Sequence, residues 1–484
     1  MVLAAISEGA PIPAIGWVAP FVALLLAIAL LPLIPRAAHW WHSNRNKLIV
    51  GGILGAVTLV HFLVRDHGVV LHGDHLPRFF RWMGMALTED HGHFTTPAGF
   101  AGMLGAVGNS VMEYIPFLTL LLTLYCISGG IAVRGGLRGT PTTNTAIMAL
   151  GGLIASFVGT TGAAMLLIRP LLNANRERQR VAHTVVFFIF IVCNVGGCLL
   201  PIGDPPLFIG YLKGVPFFWT LVLAPEWAFM LVALLVIYFL LDRRLHRNDA
   251  LRLRALEETQ AREPIRILGA INFLWLALAV VAVATINPSR PLPGTDWVPP
   301  IFARELVQLA LVGLSFRTTP KGVREENGFN FEPIGEVAAL FIGIFVTMQV
   351  PLEILSAKGA SLGLAEPWQF FWTTGVLSAF LDNAPTYAVF FQVAESIGPA
   401  GAGSGDGMVR LADGGEVRSD LLIGVSLGAV FMGAMSYIGN GPNFMVKAIA
   451  ERAGVAMPSF FGYMGYSAVV MLPPLVVVTI LFMR

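Results

Sequence analysis

Ser378-Ala379-Phe380-Leu381-Asp382-Asn383-Ala384-Pro385-Thr386 lies inside an apolar run covering about 367–393. A charged side chain at the centre of a bilayer costs roughly 2.5–3.5 kcal/mol on insertion scales. Pro385 removes a backbone donor and with it a helix hydrogen bond. Irregular backbone at membrane depth survives only where protein buries it or where it lines a wet cavity. A carboxylate, an amide, a hydroxyl and a helix breaker within five residues therefore mark a site for an ion or small solute rather than a lipid-facing span.

The whole chain sets the same context. It has 484 residues, 56% hydrophobic and only 12% charged, with mean hydropathy +0.73. Soluble domains carry about 25% charged residues. Many apolar runs reach the ~20 residues that a bilayer requires. The fold class is an all-α polytopic membrane protein, and its first partner is the lipid bilayer. A formal charge of +2 gives no reason to expect nucleic acid. Cys126, Cys193 and Cys198 all fall in apolar runs, so no disulfide framework is expected. The first apolar run starts near Ile15 with nothing basic before it, which reads as a retained helix rather than a cleaved signal.

Taken in order, helices are expected near 18–35, 48–64 and 98–133, the last carrying Asn109, Ser110 and Glu113. Residues 65–97 are polar and hold His67, His72, His75, His91 and His93. The segment 143–172 is interrupted at Gly159-Thr160-Thr161-Gly162, and 182–212 at Pro201-Ile202-Gly203-Asp204-Pro205-Pro206. A helix follows near 217–241. The charged stretch 242–266, with seven Arg, is an amphipathic surface helix or a linker. Helices near 268–286, 301–316 and 336–351 precede the interrupted segment 367–394. A Gly-rich loop spans 398–418. The segment 421–450 breaks at Gly439-Asn440-Gly441-Pro442-Asn443, and a last helix covers 460–483.

Lys and Arg distribution orients such a chain. If 143–172 and 367–394 are re-entrant hairpins, the loops 36–47, 134–142, 169–181, 242–266, 317–335 and 447–458 share one side. Together they hold 21 of the 31 Lys and Arg, so that side is expected to be cytoplasmic. The expected architecture has about ten transmembrane helices, two of them broken, plus two re-entrant hairpins. It divides into a first half 1–241, a charged linker 242–266 and a second half 267–484. The expected location is the cell inner membrane, multi-pass.

The halves also correspond in sequence. Ala155-Ser156-Phe157-Val158-Gly159-Thr160 aligns with Ser378-Ala379-Phe380-Leu381-Asp382-Asn383, and Gly203-Asp204-Pro205-Pro206 with Gly439-Asn440-Gly441-Pro442. Entry from opposite sides makes this an inverted repeat. Matched interrupted segments in two halves point to a midplane site in a secondary transporter. No nucleotide-binding loop is visible, so ion gradients are the expected energy source.

On these motifs the chain resembles the ion transporter superfamily, which includes NhaD-type sodium/proton antiporters, arsenite efflux permeases, and citrate and dicarboxylate carriers. The likeness extends over about 98–470. Leu381-Asp382-Asn383-Ala384-Pro385-Thr386 is similar to the hairpin tip of the antiporters, and Pro201 to Pro206 to their broken-helix motif. Glu113 matches an embedded acidic position there. The first tip, Gly159-Thr160-Thr161-Gly162, departs from the Asp-Asn that the antiporters tend to repeat, and the paired Ser-Asn-Thr signature of dicarboxylate carriers is absent. The resemblance implies a scaffold and a mobile part built from hairpins and broken helices.

Hard cations take oxygen ligands. Thr160, Thr161, Asn194, Asp204, Asp382, Asn383, Thr386, Ser436, Asn440 and Asn443 are the candidate ion- or substrate-binding residues. Asp204, Asp382, Asn383 and Asn440 are the candidates for sodium. Glu113, Asp204 and Asp382 are the candidates for proton coupling. Each has a structural alternative: Asp204 and Asp382 can cap the half-helix that follows, Thr160 and Thr161 can cap a returning arm, and Glu113 can be a neutral carboxyl bonded to a neighbouring helix. Arg169 reads as a snorkelling side chain. The His cluster and His183 read as solvated residues, with metal binding or pH sensing as the alternative. No catalytic residue and no cofactor is expected, only sodium and protons as coupling ions. The leading function is a sodium (or lithium)/proton antiporter. The alternative is a sodium- or proton-coupled citrate or dicarboxylate carrier, and a channel or structural partner ranks third. The sequence leaves room for a homodimer.

Overall fold

A computed structural model describes residues 12–71, 75–90, 93–257, 264, 266–288, 291–398, 407–412 and 414–483, the side chains of residues 75, 90, 93 and 248–257 apart. Ile15–Leu33, Asn44–Val64, Phe100–Ser128, Pro141–Val158, Phe217–Arg247 and Phe460–Phe482 are long and apolar enough to cross a membrane. Glu332–Thr347 and Gln349–Leu362 together make a further span bent by 42°. Ala182–Cys198, Ile271–Thr285 and Ser419–Met435 are shorter apolar helices. At ~1.5 Å per residue, the 29 residues of Phe100–Ser128 extend about 43 Å, comfortably beyond the ~30 Å hydrocarbon layer.

The two interrupted segments fold back on themselves. Hairpin 1 consists of Pro141–Val158 and Thr160–Ala174. Its open ends are tied together: Asn144 Nδ2 donates to Asn175 Oδ1 at 2.9 Å, and Asn175 Nδ2 returns a bond at 2.8 Å. Hairpin 2 consists of Pro367–Phe380 and Asn383–Ile397. Ser396, near the end of its return arm, lies against Gly359, a few residues ahead of its entry arm. Arg418 donates to the Ala365 carbonyl at 3.4 Å, and the Ala412 N–H to Gly214 at 2.9 Å. Thus 214, 365, 396, 412 and 418 gather at one end. At the other, Ala132–Arg134 pairs antiparallel with Arg266–Leu268 and Arg134 bonds Glu326 at 2.6 Å.

Each hairpin packs against a broken helix. Break 1 separates Ala182–Ile191 from Pro205–Leu212, and break 2 separates Ser419–Met432 from Gly441–Arg452. Within the second half, the entry arm of hairpin 2 runs along Ser419–Met432. The halves then interlock. Pro205–Leu212 packs on the return arm of hairpin 2, and Gly441–Arg452 on the return arm of hairpin 1. Phe187, Phe188 and Phe190 are fully enclosed, as are Phe370, Phe371 and Phe431, so the Phe-rich run packs inside rather than facing lipid. Between helices in lipid, close packing rather than water exclusion supplies the attraction.

Two segments depart from the hydropathy reading. The helix expected to end at Leu241 continues without interruption from Ala224 to Glu257, so the first part of the charged stretch is neither a separate surface helix nor a loose linker. Asp242 sits at 0% exposure, held by Arg178 at 2.5 Å and His183 at 2.8 Å; buried charges persist when paired in this way. The polar stretch 65–97 folds too. Val70–Leu71, His93–Thr95 and Thr88–Asp90 form a small antiparallel sheet in that order, beside the helix His75–Trp82. His72 and His91 lie outside the described residues, as do the side chains of His75 and His93. His67 Nδ1 sits 3.0 Å from Asp66.

This arrangement makes a topological prediction. Arg410 and Arg176 serve as probes. Both are exposed, and the three native cysteines are buried. Cysteines placed singly at 410 and 176 should label with a membrane-impermeant maleimide from opposite sides. Labelling of both from one side would contradict the re-entrant hairpins.

Candidate functional site

The hairpin tips and helix breaks meet through one repeated backbone bond. At tip 1, Gly159 adopts φ +77°, a conformation that favours glycine, and turns the chain into Thr160. The Thr160 N–H donates to the Gly203 carbonyl at 2.8 Å. At tip 2, the Asn383 N–H donates to the Gly439 carbonyl at 3.1 Å. A methyl group on Gly203 would overlap the Gly197 carbonyl oxygen, and one on Gly439 would overlap that of Gly433. Both breaks therefore need a glycine for close approach, at positions matched in the two halves.

Asp204 is where all four segments converge. It is 1% exposed. Thr160 Oγ1 donates to its Oδ1 at 3.0 Å, Asn440 Nδ2 to Oδ1 at 2.9 Å, and Asn383 Nδ2 to Oδ2 at 2.8 Å. Thr160 and Asn383 open the return arms of the hairpins, while Asp204 and Asn440 are the N-cap positions of the second halves of the broken helices. Four helix N-termini thus point at one carboxylate. Their aligned dipoles favour negative charge, while the bonds to the carboxylate itself come from side chains. Charge-assisted hydrogen bonds to a carboxylate are the strong kind. Among the described residues no Lys, Arg or His bonds Asp204.

Further amides around Asp204's partners lock this arrangement. Asn440 also donates to the Cys193 carbonyl at 3.0 Å and to Asn194 Oδ1 at 3.2 Å. Asn194 donates to Asn443 Oδ1 at 2.8 Å. Asn443 donates to the carbonyls of Gly433 and Ser436, both at 2.9 Å. Ser436 Oγ accepts from the N–H groups of Ile438 and Gly439. Asn194, Asn383, Asn443 and Ser436 are at 0% exposure. One oxygen is unused: Asn383 Oδ1 is buried without a hydrogen-bond partner, on the same amide whose nitrogen holds Asp204.

Seven of the ten predicted binding residues belong to this network: Thr160, Asn194, Asp204, Asn383, Ser436, Asn440 and Asn443. Three stand outside it. Asp382 is half-buried and accepts the Ala384 N–H at 3.0 Å, capping the return arm. Thr386 Oγ1 bonds the Asp382 carbonyl at 2.9 Å. Thr161 is half-buried and joins no bond of the network. The two aspartates have thus separated: Asp382 is a helix cap, and Asp204 is not, although it occupies a cap position.

Glu113 is also apart from the network. Its Oε1 lies 3.5 Å from Lys213 Nζ, and its Oε2 is buried without a partner. Lys213 ends the second half of broken helix 1, a hundred residues away in sequence, so no local pattern announces the pair. Ser156 and Ser378 were not singled out from the sequence either. Ser156 Oγ donates to Gly196 at 2.7 Å and Ser378 Oγ to Ala429 at 2.7 Å, each fastening a hairpin arm to its broken helix. Their only signal was a hydroxyl in an apolar run.

Paired re-entrant hairpins closing on two broken helices around one buried carboxylate define a multi-pass membrane transport protein. Over residues 91–483 the chain matches the family described as "Putative citrate transport". The match spans most of the chain, and the protein belongs to that family. No curated protein matches it significantly.

The site's packing gives a contrast within one motif. Gly203→Ala and Gly439→Ala each force a methyl against backbone that cannot give way, a strain of ~1–3 kcal/mol. Gly441 has open space where a Cβ would go, and alanine favours helix. Thermal unfolding of the purified protein should show lowered melting temperatures for the first two variants and none for Gly441→Ala. Equal melting of all three would remove the close-packed breaks from the account.

Proposed function

We propose that this protein is a secondary active transporter whose coupling ion, sodium or lithium in exchange with a proton, binds at Asp204. One observation carries the reading: a fully buried carboxylate is held by three neutral donors from the hairpin tips and the second break, without a basic side chain among the described residues. A buried carboxylate without a countercharge is costly, by several kcal/mol. Helix N-termini and amides offset part of that cost, and a proton or a small cation offsets the rest. Those two occupants exclude one another, which is the chemistry of exchange. The oxygen set around Asp204, with Asn383 Oδ1 unused and Thr160 Oγ1 adjacent, suits a hard cation. The cell inner membrane is the proposed location.

A second reading is favoured by the family's description. Once Asp204 carries a proton or a cation, four helix N-termini still face one place, and an anionic carboxylate is the natural partner for them. In that case cation binding at Asp204 would precede uptake of citrate or a dicarboxylate.

Proteoliposomes loaded with a pH-sensitive dye separate the two. On the antiport reading, an external sodium or lithium pulse drives protons out and alkalinises the lumen, potassium and citrate do not, and Asp204→Asn abolishes the response while expression is unchanged. An amide can ligate a cation weakly but cannot carry the proton. A proton movement that requires citrate in addition to sodium would install the carboxylate carrier instead. Undiminished exchange in Asp204→Asn would remove Asp204 from the mechanism.

A further inference from the structure

Among the described residues, two arginines near the basic end of the molecule have no acidic partner. Arg169 lies on the return arm of hairpin 1, and Arg452 closes the second half of broken helix 2. The two helices pack together, with Met165 clustering with Met445 and Ile449 in the turns before the two arginines. Arg169 is half-buried, its Nε is enclosed without a hydrogen-bond partner, and no described residue bonds its guanidinium. Arg452 is exposed. Among the described residues neither has a carboxylate within ion-pair distance. The acids nearby are engaged elsewhere: Glu451 pairs with Lys447 at 2.8 Å and Glu326 with Arg134 at 2.6 Å.

Arg169 does not snorkel freely. Its head lies against Gly328, where a side chain would strike the guanidinium. The neighbouring Asn327 donates to the carbonyls of Gly129 and Ile131, fixing this segment to the end of the Phe100–Ser128 helix. Tyr125, on that same helix, donates to the Asn330 carbonyl at 2.8 Å. Hairpin 1, broken helix 2 and the 327–330 segment therefore bring two guanidinium groups to one end of the fold, one of them partly desolvated. Planar guanidinium forks match carboxylate and phosphate oxygens in pairs, and partial burial strengthens such contacts.

We propose that Arg169 and Arg452 form a binding site for a multivalent oxyanion, separate from Asp204. The site joins both interrupted halves to the 327–330 segment, so an anion bound there bridges three parts of the fold. Its occupant is a soluble polycarboxylate or the phosphate of a lipid headgroup, which share this chemistry.

The test uses the full chain, purified in an uncharged detergent and incorporated separately into discs with and without anionic phospholipid. A ligand that binds only the folded state raises the melting temperature by mass action. Citrate, inorganic phosphate and, as an ionic-strength control, chloride are titrated in turn. Saturable stabilisation by citrate or phosphate is expected in the parent and in Asp204→Asn. It should fall at least several-fold in Arg452→Gln, an exposed position outside the packed core, and in Arg169→Gln, with Arg169→Lys retaining part of it. Stabilisation only in anionic discs, lost in the same variants, upholds the site and assigns it to lipid. No stabilisation from any of the three sources, or stabilisation unchanged in Arg452→Gln and Arg169→Gln, overturns it. Retention in Asp204→Asn keeps this outcome independent of the proposed coupling site.

Discussion

The architecture depends on one buried carboxylate and the hydrogen bonds that reach it. A membrane-embedded chain must satisfy its polar groups internally. Both broken helices and both hairpin tips bring the positive ends of helix dipoles to one place. Bringing four such ends together without negative charge would place like partial charges face to face. Asp204 resolves this by accepting bonds from Thr160, Asn383 and Asn440, while Asn194 and Asn443 hold the surrounding carbonyls. The same arrangement that stabilises the breaks therefore builds the site.

The two halves contribute unequally, and the inequality is chemical. The matched bonds from Thr160 to Gly203 and from Asn383 to Gly439 show one backbone plan used twice. At the break, however, one half places Asp204 and the other Asn440. At the tip, one half places Gly159 and the other Asp382. Two carboxylates at the breaks would repel in a low-dielectric site. One carboxylate facing one amide gives a single titratable group with a neutral partner, which suits a site that must alternate between two small occupants.

Much of this was legible because hydrocarbon is intolerant. Gly, Pro, Asp and Asn inside apolar runs have few structural explanations, so the hairpins, the breaks and most of the network residues could be read from the chain. What could not be read was which aspartate stands at the centre. Asp204 and Asp382 both precede half-helices, and both suit a cap. Only the fold shows Asp382 turned to its own Ala384 N–H and Asp204 turned to the opposite half. Long-range pairs were equally silent, as with Glu113 and Lys213. That the span and the charged stretch form one unbroken helix to Glu257 was not legible, because hydropathy reports where the apolar face ends and here the helix outlasts it. Asp242 beyond that point is held by Arg178 and His183, charges that a loop-based reading leaves in solvent.

The central claim is that Asp204, and not Asp382, holds the coupling cation. Isothermal titration of the purified protein with sodium or lithium, at fixed pH and ionic strength, tests it most directly. Heat of binding should be present in the parent, retained in Asp382→Asn and lost in Asp204→Asn. Binding that survives Asp204→Asn and disappears in Asp382→Asn would contradict the account and move the site to the hairpin tip.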